Sequence, residues 1–104
     1  MNNSRLVGVV IDSGHGGADS GAVGNGIVEK NLTLEISKYM YNRLKELGIP
    51  VALTRETDEE LTSATRPKRV LEKFGNDKDV IVISNHINAG GADSQSVTNI
   101  KYNN

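Results

Sequence analysis

Leu6-Val7-Gly8-Val9-Val10-Ile11 (LVGVVI) is an unbroken apolar run, rich in β-branched residues and followed at once by the polar Asp12-Ser13. A run of this length and composition reads as a strand buried on both faces. Asp79 to Ser84 (DVIVIS) repeats the pattern, and Val51 to Thr54 (VALT) is a shorter instance of it. Between the first two strands, Leu32, Ile36, Met40, Leu44 and Leu47 recur at steps of four and three, which puts them on one face of a helix. Asn31 is placed to cap that helix, and Gly48 followed by Pro50 is a stop signal. A second helix is expected from about Thr65 to Gly75, because Pro67 fits only a first turn. Asp58 to Ser63 reads as loop. The order strand, loop, helix, strand, helix, strand, with uniformly apolar strands, predicts an α/β fold: three layers, a mostly parallel sheet and flanking helices. After Ser84 the pattern dissolves into small and polar residues.

The chain has 104 residues, a length that suits one domain over residues 1–104. Lys and Arg number 12 against 13 Asp and Glu, a net charge of −1, which gives no general attraction to nucleic acid or anionic membranes. No apolar run nears the ~18 residues of a membrane span, and Met1 to Arg5 lacks the features of a signal peptide. Cysteine is absent, so any zinc site would need histidine and carboxylate ligands.

Only two histidines are present. His15 lies four residues beyond Ile11 and His86 three beyond Ile83, so each follows a strand at the same end of the sheet. Ligands of open parallel sheets bind at that end. With strand order 2-1-3, which right-handed crossovers allow, the two imidazoles can meet. Asp12 to Glu29 contains six glycines and can fold back to bring the Glu29 carboxylate beside His15. Two histidines and a glutamate form a hydrolytic zinc set, although a glutamate at a helix start is also favoured by the helix dipole alone. A phosphate cradle is the rival reading of the glycines, but neither G-x-G-x-x-G nor G-x-x-x-x-G-K-[ST] is matched. Arg66, Lys68, Arg69 and Lys73 read as a solvated helix face, and Glu56, Asp58, Glu59 and Glu60 as a solvated loop.

The stretch Val10 to Gly17 (VIDSGHGG), with Asp19, Gly21-Ala22, Gly24-Asn25-Gly26 and Glu29-Lys30, resembles the opening of the zinc-dependent N-acetylmuramoyl-L-alanine amidases. Thr54-Arg55 with Asp58, then Arg66, then Ser84 to Ala89 (SNHINA) resemble that family's later stretches. Ser13 stands where many members have proline, and Asn85 where a small apolar residue is common. The resemblance implies a doubly wound α/β domain with one Zn2+ held by His15, Glu29 and His86, and a substrate contact at Asn88. It implies hydrolysis of the amide between N-acetylmuramic acid and the L-alanine of the peptidoglycan stem peptide. A cytoplasmic product acting on the cell wall after release is the matching location.

In that family more strands and helices follow the second histidine, and a late strand supplies a general acid/base glutamate. No residue here maps to that glutamate, so the catalytic group is unassigned; Glu35, Glu46, Glu56, Glu59, Glu60 and Glu72 all fall on helices or the acidic loop. The chain therefore reads as an apparently truncated, N-terminal portion of the domain. Two readings stay open: a working peptidoglycan amidase, or an inactive zinc-binding fragment that binds wall or self-associates through exposed sheet edges.

Overall fold

The structure, a computed structural model, describes residues 6–87. Three parallel strands form the sheet: β1 (Gly8–Ser13), β4 (Val51–Leu53) and β5 (Val80–Asn85), in the order β4-β1-β5. This is the 2-1-3 order expected for the three strands. β1 pairs with β4 from Val9↔Val51 to Ile11↔Leu53, and with β5 from Gly8↔Val80 to Ser13↔Asn85. Helices α1 (Glu29–Glu46) and α2 (Thr65–Phe74) supply the crossovers.

Alternation along β1 assigns a helix to each face. Val9 and Ile11 pack in a cluster with Leu53, against which Met40, Tyr41 and Leu44 of α1 lie. Gly8 meets the Phe74 ring of α2, and Asp12 meets Arg66 of the same helix. The layers are therefore helix, sheet, helix, with all six residues of β1 buried at the centre.

Both long strands, β1 and β5, extend past the apolar runs that marked them. β1 begins two residues later than expected and continues through Asp12 and Ser13; β5 continues through Asn85. Buried Asp12 and half-buried Asn85 meet polar partners: Thr54 Oγ1 donates to Asp12 Oδ1 at 2.8 Å, and Asn85 Nδ2 donates to Thr33 O at 3.0 Å. Ser13 Oγ alone is buried with no hydrogen-bond partner among the described residues. An unsatisfied buried hydroxyl costs about 1–3 kcal/mol. Ser13→Ala should therefore raise stability by about 1 kcal/mol, read as a higher urea midpoint at unchanged slope.

The glycine-rich segment also differs from an unstructured loop. It holds a two-stranded antiparallel hairpin, β2 (Val23–Gly24) with β3 (Ile27–Val28), and Gly16 and Asp19 exchange backbone hydrogen bonds of 2.8 and 3.0 Å. α1 starts at Glu29, so Asn31 lies inside the helix and caps nothing. Two of the orphan N–H groups are satisfied by the loop itself: Glu29 N donates to Ala22 O at 2.8 Å and Lys30 N to Ser20 O at 3.0 Å. α2 matches its expected span and ends at Gly75. Among the described residues no helix is long and apolar enough to cross a membrane.

Candidate metal centre

His15, at the C-terminal end of β1, has φ 65°, a left-handed conformation that few non-glycine residues adopt. Two buried or half-buried arginines hold the backbone just before it. Arg55 Nη2 donates to Gly14 O at 2.9 Å, and Arg66 Nη1 donates to Ser13 O at 2.8 Å. Arg66 is anchored in turn on Asp12 Oδ1, 2.6 Å away. Arg66 is thus no part of a solvated face, as the sequence suggested. Arg69 is engaged as well, with its Nη2 2.9 Å from Glu59 Oε2, while Lys68 is exposed. In the acidic loop Asp58 accepts from Gly17 N at 2.7 Å and from Lys30 Nζ at 2.8 Å.

Glu29 enters the site as the first residue of α1 and is buried. Its carboxylate is fixed by two backbone donors: Ala22 N to Oε1 at 2.9 Å, and Ile87 N to Oε2 at 2.7 Å. The second donor follows β5, so the same strand that delivers His86 also orients Glu29. His15 Nε2 lies 3.2 Å from Glu29 Oε2, and His86 Nδ1 lies 3.7 Å from the same oxygen. The two rings meet edge to face with centroids 5.0 Å apart. One ligand atom from each of His15, Glu29 and His86 falls within 4.8 Å of the others. Bonds of about 2.0–2.1 Å to a tetrahedral zinc set ligand atoms roughly 3.3 Å apart, so this donor set and spacing fit such an ion. Burial holds the His86 pKa below its ordinary value, and the neighbouring His15 adds to the effect. A neutral ring keeps a lone pair for a cation.

Asp19, not singled out as a site residue from the sequence, lies on the far side of His15: its Oδ2 is 3.0 Å from His15 Nδ1. The His15 contact, helped by the Gly21 N–H, holds the Asp19 carboxyl below the usual carboxylate range. A carboxylate four residues from a candidate ligand was the available signal. Asn88 lies outside the described residues.

The glycines let backbone and imidazoles approach closely. A Cβ on Gly14 would stand 2.6 Å from the His86 ring, and one on Gly21 would meet both His15 and Glu29 within 2.8 Å. Overpacking of this kind costs about 1–3 kcal/mol. Gly14→Ala should push His86 out of place and weaken metal binding by roughly 5- to 150-fold, which a chelator competition titration would show. Unchanged affinity would mean that His86 is no ligand.

Beside the three residues, between α2 and β5, lies an open cleft of about 670 Å³. Leu61, Val70, Leu71 and Val82 give it apolar walls, and Asp12, Asp19, Arg66, His15 and His86 its polar end. None of the six glutamates left unassigned from the sequence borders it.

A family profile described as N-acetylmuramoyl-L-alanine amidase matches residues 9–103. The chain is 44% identical over 84 residues to the uncharacterized protein YqiI of Bacillus subtilis, covering 81% of this chain and 39% of that protein. It is 38% identical over 88 residues to the N-acetylmuramoyl-L-alanine amidase CwlM of Bacillus licheniformis, covering 83% and 33%. Among solved structures, the catalytic domain of the amidase CwlV from Bacillus (Paenibacillus) polymyxa var. colistinus matches with a TM-score of 0.71 and 35% identity, over 86% of this chain and 50% of that one. The chain spans between a third and a half of the length of these relatives.

Proposed function

The chain belongs to the N-acetylmuramoyl-L-alanine amidase family, and we propose that it holds one zinc ion through His15, Glu29 and His86 to hydrolyse the amide between N-acetylmuramic acid and L-alanine in peptidoglycan. The observation that carries this reading is the convergence of two imidazoles and a buried carboxylate at one end of the sheet. Bound zinc supplies Lewis acidity, which polarises a carbonyl and makes water nucleophilic near neutral pH. The chain's own residues hold the ligand set: Ala22 and Ile87 N–H groups fix Glu29, and Arg55 and Arg66 fix the backbone around His15. The cleft beside them offers apolar walls for a glycopeptide and the Arg66 guanidinium at its polar end. Peptidoglycan lies outside the membrane, so the site of action is the wall.

A second reading, a zinc-binding module without turnover, has one observation in its favour. Among the described residues the carboxylates bordering the cleft are Asp12 and Asp19, and both are engaged, Asp12 by Thr54 and Arg66 and Asp19 by His15 and Gly21. Neither is free to move a proton, a role typically worth 10²–10⁴-fold in rate. Self-association rests on β5, which among the described residues pairs only with β1; light scattering of a clean monomer at high concentration removes it.

Purified peptidoglycan decides between the two. Incubation with the chain and zinc should liberate stem peptides with a new L-alanine amino terminus, and EDTA should stop it. No release, with one zinc bound per chain, would leave the binding module.

A further inference from the structure

We propose that Asp19 is the positioning residue of the centre, setting the tautomer and the angle of the His15 ring so that Nε2 presents its lone pair toward Glu29. His15 stands between two carboxylates, Asp19 Oδ2 at 3.0 Å from Nδ1 and Glu29 Oε2 at 3.2 Å from Nε2. An ionised carboxylate only accepts hydrogen bonds. Both ring nitrogens face such an acceptor, so in the neutral ring the two compete for one proton. Asp19 Oδ2 is the nearer and takes no other hydrogen bond among the described residues, whereas Glu29 Oε2 already accepts from Ile87 N at 2.7 Å. The proton therefore sits on Nδ1, and Nε2 keeps the lone pair. That nitrogen is the one that points into the three-residue cluster.

Asp19 is itself held in place. Its Oδ1 accepts from Gly21 N at 3.1 Å, and its backbone exchanges two hydrogen bonds with Gly16. The carboxylate thus closes a small ring of contacts, Gly16 to Asp19 to Gly21, around His15. Partners of this kind typically change metal affinity by about 10- to 100-fold when removed. Asp19 is half exposed, with a side-chain accessibility of 54%, so its replacement leaves the buried structure alone.

The metal arm of this inference rests on the zinc reading above, while the tautomer arm does not. Asp19→Asn is the sharp variant. The asparagine carbonyl can keep the Gly21 N–H, which turns the amide NH2 toward His15 Nδ1. A donor there favours the opposite tautomer, with the proton on Nε2 and no lone pair for a metal. Asp19→Ala removes the partner and imposes neither tautomer.

Nitrogen-15 NMR of the His15 ring in metal-free protein at pH 9.5 should place the proton on Nδ1 in the wild type and on Nε2 in Asp19→Asn. Zinc affinity, measured by chelator competition, should fall about 10- to 100-fold in Asp19→Asn, with a smaller fall in Asp19→Ala. The visible spectrum of the cobalt-substituted protein should change as well. Melting temperatures should stay level across all three proteins, which a merely structural role for Asp19 would not give. A proton that stays on Nδ1 in Asp19→Asn, or zinc affinities within twofold of wild type, would overturn the proposal. A wild-type chain that takes up no zinc would sink the amidase reading, and the tautomer comparison would still decide the role of Asp19.

Discussion

Glu29→Gln should weaken zinc binding by roughly a thousandfold. Apparent binding free energies of ~10–16 kcal/mol for zinc in small folded sites, shared among three or four ligands, give about 4 kcal/mol for each. Glutamine keeps the volume of Glu29 but removes its charge and turns one acceptor into a donor. Both oxygens of Glu29 are already committed to backbone donors, Ala22 N and Ile87 N. Whichever way the amide turns, one of these N–H groups faces an NH2, at a further cost of about 1–3 kcal/mol in stability. Calorimetric titration would measure the affinity. Thermal melting gives an independent reading: zinc at a hundred times its Kd should stabilise the wild type by about 2.7 kcal/mol and leave the variant unmoved. A variant that still binds one zinc within tenfold of wild type would remove Glu29 from the ligand set.

How far the sequence disclosed this site depends on which residues one follows. The strands were legible because Val9, Val10, Ile11 and Ile81 to Ile83 sit in a sheet covered by helices, where an unbroken apolar run is the expected signature. The strand ends were not, since hydrophobicity cannot report that Asp12 is buried against Thr54 and Arg66, or that Asn85 is half-buried against Thr33 and Ser37. The same blindness displaced the inner face of α1. Leu32, Ile36, Met40, Leu44 and Leu47 fall on one stripe, yet Ile36 is 37% and Leu47 57% exposed. The residues of α1 that are fully buried are Glu29, Thr33 and Ser37, a polar row at steps of four. Each has a task. Glu29 reaches the histidines, Thr33 Oγ1 donates to Gly14 O at 2.8 Å, and Ser37 Oγ accepts from Asn85 Nδ2 at 3.1 Å. Periodicity finds a helix, but it finds the buried face only where burial is apolar.

Sequence spacing did suffice for the meeting of His15 and His86, because parallel strands present all their carboxyl ends on one side. It could not reveal what orients the pair. Asp19, Arg55 and Arg66 act across 4, 41 and 53 residues of chain, on His15, Gly14 O and Ser13 O respectively. Contacts across the two longer gaps exist only once the sheet and both crossovers have formed. Local pattern carries no trace of them beyond the residue types themselves.

Arg55→Ala should lower the melting temperature by roughly 20 °C. Arg55 is 1% exposed, and burial pulls its pKa below the ordinary guanidinium value, with the Arg66 charge adding to the effect. Among the described residues no carboxylate lies within ion-pair distance of it. Its charge is met by carbonyl oxygens: Gly14 O at 2.9 Å, Lys30 O at 3.0 Å, Thr57 O at 2.9 Å and Ser13 O at 3.4 Å. One side chain thereby joins the end of β1, the first turn of α1 and the loop after β4. Truncation strands several buried acceptors at about 1–3 kcal/mol each, partly relieved by entering water, for a loss of about 4 kcal/mol. A domain near 100 residues loses roughly 4–8 °C for each kcal/mol, and its whole stability is about 5–15 kcal/mol. Arg55→Lys should recover little, because an ammonium at one point cannot reach carbonyls on three elements as the planar fork does. Calorimetry of both variants checks the ordering. A fall of less than 5 °C in Arg55→Ala, or full recovery by lysine, would show that the site stands without this clamp. Zinc binding should fail with the fold in Arg55→Ala, whereas in Glu29→Gln it should fail while most of the fold survives. That difference separates a residue that holds the metal from one that holds the loop bearing it.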